Sequence, residues 1–430
     1  MQYPIMLQMI DAVNHTGYFR IMDPHHAARF LDRTTPPHIA TLILLSGLAA
    51  LVMNMFLPSL PAMTRHFGTD YRTMQLSVAL YLAVSGALQL VIGPLSDRFG
   101  RRPVLLGALG LFLLATLGCL LAPNVELFLL FRMLQAVVAA GMVLSRAIVR
   151  DMVPMNEAAS MIGYVTMGMA VAPMIGPFFG GLLDTAFGWQ ANFWLMLVLG
   201  ALLLWLVWHD LGETARHHNT SFAAQFRQYP ALLGSRRFWG YCLSAAFAAG
   251  AFFAYLGGAP WVGKELFGMN AVELGISFGV VSLGYMLGNY LSGRHSVRFG
   301  VNRMVLWGAL ISAGGTGLLL LLFELGLGTA ALFFLSMFFV GLGNGMALPN
   351  ANAGMLSVRP ELAGSASGLG GAIMIGGGAA LSALAGSRLG PGTGPFPLLW
   401  IMFTSALLGM VSILYVIRRE RRLALRGELP

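Results

Sequence analysis

The chain has 430 residues, is 57% hydrophobic and has only 10% charged residues, against about 25% charged in an average soluble protein. Its net charge of +9 comes from basic residues that stand in short gaps between long apolar runs. A soluble core has no use for apolar surface at this run length, and charge placed this way argues for membrane topology and against nucleic-acid binding.

Residues 1–37 contain His25-His26, Pro36-Pro37 and mixed charges. They lack the basic start and compact apolar centre of a signal peptide and read as a cytoplasmic tail. Twelve apolar runs follow, at 38–57, 75–96, 103–123, 126–147, 160–183, 190–209, 237–258, 273–293, 303–323, 328–350, 364–386 and 396–417. Each is long enough to cross a bilayer, and each must be a helix, because hydrocarbon offers no partner to an open strand edge. The expected fold is all-α and integral to the membrane: a six-helix bundle over 38–209, a polar and basic linker over 210–236, a second six-helix bundle over 237–417, and a charged cytoplasmic tail over 418–430. With the amino terminus placed in the cytoplasm, 21 of the 26 Lys and Arg residues fall on the cytoplasmic side, 4 on the outer side, and Arg132 inside span 4. That bias puts both termini in the cytoplasm.

Along the first half, Leu57-Pro58-Ser59-Leu60-Pro61 closes span 1, three residues after Asn54. Gly93-Pro94-Leu95-Ser96-Asp97-Arg98-Phe99-Gly100-Arg101-Arg102 fills the gap between spans 2 and 3. Cys119 and Cys242 fall inside spans 3 and 7 and read as small apolar fillers. Span 4 carries Arg132-Met133-Leu134-Gln135 and ends in Ser145-Arg146-Ala147-Ile148-Val149-Arg150-Asp151. Span 5 carries Pro173, Gly176, Pro177, Gly180 and Gly181, a set that kinks a helix and lets neighbours come close. The second half repeats the first at a shift of 200: Gly293, Arg298, Phe299 and Gly300 fall on Gly93, Arg98, Phe99 and Gly100, and Ala172…Met174-Ile175-Gly176 falls on Ala372…Met374-Ile375-Gly376. Six spans repeated as six give two pseudo-symmetric bundles with a path between them.

On these motifs the chain resembles the major facilitator superfamily over nearly its whole length. It is most similar to the twelve-span drug:proton antiporters of the bicyclomycin and chloramphenicol resistance (Bcr/CflA-type) group. The resemblance implies multidrug efflux across a bacterial inner membrane by alternating access, driven by the proton gradient with no bound cofactor. It further implies a monomer whose partners are an amphipathic small molecule, protons and the lipid bilayer. It implies conformational roles for Gly93, Asp97, Arg98, Gly100 and Arg101, with Asp97 locking the closed cytoplasmic side against a facing helix amino terminus. Pro173, Gly176, Pro177, Gly180 and Gly181 would lie at the interface between bundles and oppose leak.

One position departs from the group. Where relatives carry an aspartate as the candidate proton site, this chain has Asn54, and an amide does not titrate. Asn54 and Arg132 lie at similar depths, about 4 and about 6 residues from the outer ends of their spans. No carboxylate occupies the interior of a predicted span. Two readings of Arg132 stand side by side: it offers positive charge to an anionic or zwitterionic substrate, helped by Gln135 and Asn54, or it snorkels outward or bonds to carbonyls and polar side chains. Asp97, Asp151 and Arg132 remain the candidates for proton coupling. In the second half, Tyr255 and Asn289 are the expected substrate contacts in a wall of aromatics, methionines and amides. A carrier of a specific organic anion or siderophore-like metabolite is the alternative function, and a non-transporting sensor or scaffold a second one. No acid–base, metal or phosphate-cradling constellation points to an enzyme.

Overall fold

The computed structural model describes residues 29–153, 155–215, 229–359 and 362–425. The described residues are nearly all helical and contain no strand. The long helices are α1 Ile39–His66, α2 Tyr71–Phe99, α3 Arg101–Leu121, α4 Val125–Met152, α5 Met155–Phe187, α6 Gln190–Asp210, α7 Arg236–Leu266, α8 Ala271–Phe299, α9 Val301–Glu324, α10 Ala330–Ser357, α11 Ala363–Arg388 and α12 Phe396–Leu425. Eleven of them are long and apolar enough over their described residues to cross a membrane, and α5, with 33 residues, takes the fifth place. Most of the expected tail over 1–37, much of the linker over 210–236 and the end of the tail over 418–430 lie outside the described residues.

The way these helices start follows a pattern set by sequence. The starts of α2, α4, α8 and α10 are capped locally: Asp70, Asn124, Asn270 and Thr329 accept from the backbone N–H three residues on, which satisfies donors a helix leaves open. Bonds from Thr73 also hold the Asp70 carboxyl below its ordinary range. The starts of α3 and α9, at the opposite end of the bundle, follow Gly100 and Gly300, which have φ of +95° and +84° and no side-chain cap. A positive φ there requires glycine. It folds the chain sharply from α2 into α3 and, 200 residues later, from α8 into α9.

At that end, carboxylates from distant sequence supply what local caps do not. Glu213 accepts from the backbone N–H of Arg101 at 2.8 Å and of Arg102 at 3.2 Å. Asp210, fully buried at the end of α6, accepts from Leu31 N, His38 N and Thr41 Oγ1. In the second half Ser235 caps α7 locally, and Glu420 joins the helix starts through side chains. It accepts from Arg237 and Tyr241 at the start of α7 and from the Asn302 amide at the start of α9. Tyr241 and Asn302 stand 200 positions after Thr41 and Arg102, so the repeat holds at the level of contacts. The two six-helix bundles meet mainly along α2 with α11 and α5 with α8.

Candidate functional site

The centre of the first bundle is a break in α1. Pro58 has no N–H to give the Asn54 carbonyl, and its ring crowds that carbonyl. The α-helix accordingly ends at Asn54, passes through a 3-10 turn over Leu57–Ser59 and resumes at Leu60. Ending a helix frees its last carbonyls. Arg132 takes one of them, donating from Nη2 to Val52 O at 2.9 Å. A cation is favoured at the carboxyl end of a helix. The rest of the guanidinium is enclosed: Nη1 donates to Gln135 Oε1 at 2.7 Å, Gln135 Nε2 donates to Thr116 Oγ1 at 2.7 Å, and the Phe56 and Tyr81 rings lie 4.2 and 4.1 Å from its centre. Arg132 is 1% exposed. Its charge is thus met by a carbonyl at a helix end, an amide and two π faces, without a carboxylate among the described residues, and its Nε has no partner among them.

Asn54 is equally buried, but its Nδ2 turns back to Ala50 O at 2.7 Å, and its Oδ1 has no protein partner. The structure brings Arg132 and Gln135 together and lays Arg132 on Val52 and Phe56, the residues flanking Asn54. Among the described residues, Tyr255 and Asn289 share no hydrogen bond or ring contact with them. Tyr255 is fully buried between the rings of Phe278 and Phe333, at 5.1 and 6.5 Å, and its hydroxyl has no partner among the described residues. Asn289 is half-buried on α8 and donates to Tyr285 O at 2.8 Å.

At the 93–102 turn, Asp97 Oδ1 pairs with Arg101 Nη1 at 2.6 Å, and Arg101 Nε reaches Asp151 Oδ2 at 3.0 Å. Among the described residues, Asp97 therefore pairs one turn along its own chain. Arg98 is exposed over the Phe99 ring, whereas Arg102 is bound to Leu211 O and Trp208 O. A Cβ at Gly93 would meet nothing within 4 Å among the described residues. Asp97→Asn is expected to insert and purify like wild type yet transport several-fold more slowly, because Arg101 keeps Asp151 but loses half of its ion pairing. Substrate flux at wild-type rate in proteoliposomes would count against that role.

The glycines of α5 fit two partners at once. A Cβ at Gly180 would overlap the Met55 backbone oxygen in the α1 break, and one at Gly181 would overlap Ala271 O at the start of α8. From the other side, a Cβ at Gly275 would overlap Pro177 O. Gly176 is looser, 3.2 Å from Leu51 Cδ1. The side chain of Pro173 lies outside the described residues. Helix α5 is thus wedged between the broken helix of its own bundle and the first turn of α8 in the other.

Sequence reasoning missed Glu213, Asp210, Tyr81 and Gln75. Gln75, buried in α2, donates to Ser382 O and Oγ of α11 at 2.8 Å each. A buried glutamine within an apolar run was the one signal available.

Two six-helix bundles in parallel repeat, with polar groups gathered at a broken helix between them, define a secondary transporter. The Major Facilitator Superfamily matches residues 42–383, and the chain belongs to that superfamily: it is a multi-pass membrane transporter of small molecules, not an enzyme. The MFS-type transporter YdgK of Bacillus subtilis is 32% identical over 88% of this chain and 94% of its own length. A chloramphenicol resistance protein of Pseudomonas aeruginosa is 32% identical over 76% of this chain and 78% of its own. Among solved structures, a D-xylose-proton symporter superposes with a TM-score of 0.70 at 19% identity, covering 88% of this chain and 95% of that one.

Proposed function

We propose that this chain exports amphipathic, drug-like compounds across a bacterial inner membrane by alternating access, in exchange for protons. It works as a monomer with both termini in the cytoplasm. The bundles over 38–209 and 237–417 rock about the path between them, joined by the 210–236 linker. The observation that carries the reading is the seating of α5. Its glycines hold the α1 break on one side and α8 on the other, so movement of one bundle against the other is felt at the polar centre of the path. The relative named for chloramphenicol resistance supports drug export as the direction and class of transport. Substrate would meet Asn54, Arg132 and Gln135 in the first bundle and Tyr255 and Asn289 in the second. Asp97, Arg132 and Asp151 are the candidates for moving protons, and the proton gradient is the sole energy source.

A second reading, carriage of a specific organic anion, is favoured by one observation. Arg132 is buried with no carboxylate beside it among the described residues, so a positive charge is held within the first bundle where an anion could draw on it. Proton movement in energised everted vesicles tests both. Addition of phenicols, bicyclic antibiotics, cationic dyes and organic anions one at a time is expected to release protons with at least one of the drugs. Release with an organic anion alone would replace the first reading by the second. Silence throughout, with labelled substrate still crossing, would remove proton coupling.

A further inference from the structure

One face of α2 carries contacts to the second bundle. Gln75, Gly86, Gln89 and Gly93 lie on one stripe of that helix, since 18 residues are about five turns and return Gly93 to the angle of Gln75. At Gln75 the fit is tight. Its amide fills a slot between Gly257 of α7 and Gly386 of α11, and a Cβ on either glycine would overlap it. Its Nε2 donates to both Ser382 O and Ser382 Oγ at 2.8 Å. One turn earlier, Tyr71 Oη donates to Gly257 O at 2.8 Å. On the same side of the bundle, α5 and α8 meet backbone to backbone at Gly181 and Ala271. Midway, a Cβ at Gly86 would stand 3.3 Å from Ala372 O, one at Gly371 would overlap Gln89 Oε1, and one at Gly93 would meet nothing within 4 Å among the described residues. The seam is held by side-chain hydrogen bonds at its Gln75 end.

We infer that Tyr71 and Gln75 form the latch that closes the path at the end opposite the 93–102 turn. The inference rests on the alternating-access reading. The slot explains two glycines at once, Gly257 and Gly386, which belong to different helices and share only the Gln75 side chain. The latch is also built to release. Gln75 Oε1 is buried without a partner, and a half-paired buried amide holds less firmly than a fully paired one.

The test uses the full chain with Cys119→Ala and Cys242→Ala, which removes both free cysteines. Spin labels go on Arg72→Cys and Ser387→Cys at the latch end, and on Phe99→Cys and Ser357→Cys at the other. All four positions are exposed. Pulsed electron resonance in liposomes reads each distance without any substrate. Gln75→Ala is expected to lengthen the 72–387 distance by several ångströms and to shorten the 99–357 distance. Gly386→Ala should do the same by filling the slot, and the double variant should open no further than Gln75→Ala alone, because both changes remove the same fit. Unchanged distances in Gln75→Ala would overturn the latch. So would lengthening at one end with no shortening at the other, which marks simple loosening. If both distances respond while the wild type exports nothing in the vesicle assay, drug export falls and the latch stands.

Discussion

Replacing Arg132 by alanine is expected to lower the stability of the purified protein by about 3–5 kcal/mol, the usual cost of removing one partner from a buried charged network. The variant leaves Val52 O and Gln135 Oε1 without their donor and opens a hole between the Phe56 and Tyr81 rings. The α1 break would then lose the group that ties it to α4. Arg132→Met separates structure from charge. A thioether of similar length refills the space between the rings and brings no desolvation cost, so much of the lost stability should return. Thermal unfolding in detergent measures both variants. Transport then discriminates between the two readings of the arginine. If Arg132→Met is stable but inactive on every substrate, the positive charge itself is used in transport. If it is stable and active, the guanidinium serves to hold the break. An alanine variant as stable as wild type would show that the network contributes nothing to the fold.

The number and order of spans were legible because hydrocarbon thickness imposes a minimum apolar run, and twelve runs of that length stand in the sequence. Their ends were less legible. Helices α2 and α8 were expected over 75–96 and 273–293 and run Tyr71–Phe99 and Ala271–Phe299. Composition reports where hydrocarbon is, whereas a helix continues as long as its backbone bonds do, and polar ends extend into the headgroups. Span 1 was expected to stop at 57. It continues to His66, because Pro58 and Pro61 interrupt the helix with a 3-10 turn and do not end it. The depth of Arg132 was readable by counting residues, and the structure puts it at the level of Asn54, on Val52 O and Phe56. Its partners in other helices were not readable. Val52, Phe56 and Tyr81 are brought to it by packing, and no local spacing records that. The same holds for Gln75 with Ser382 and for Glu213 with Arg101. Those pairs are 307 and 112 residues apart, so only the repeat could have hinted at them.

Gly180→Ala is expected to be the most damaging single-methyl change in α5, and Gly176→Ala a mild one. The two glycines are one turn apart on the same face of the helix, and both look at the α1 break. What each would meet is different in kind. At Gly176 the nearest atom is the end of the Leu51 side chain, 3.2 Å away, and a leucine terminus can turn aside at small cost. At Gly180 the obstacle is the backbone oxygen of Met55, with Asn192 Oδ1 at 3.2 Å behind it. Asn192 is itself held by Ser59 Oγ at 3.0 Å and Gly180 O at 3.2 Å. Nothing there can move unless α5 withdraws from α1, and because Gly181 sits against Ala271 O, withdrawal pushes α5 into the other bundle. Overpacking a core costs about 1–3 kcal/mol where side chains can adjust; with backbone on both sides, Gly180→Ala should reach or exceed the top of that range and cut transport at least about ten-fold, a barrier increase of about 1.4 kcal/mol. Gly176→Ala should stay near wild type in both. Thermal unfolding and flux measured side by side on the two variants decide the matter. Equal behaviour would mean that α5 is an ordinary packing helix and that its glycines are not seated between the bundles for a mechanical purpose.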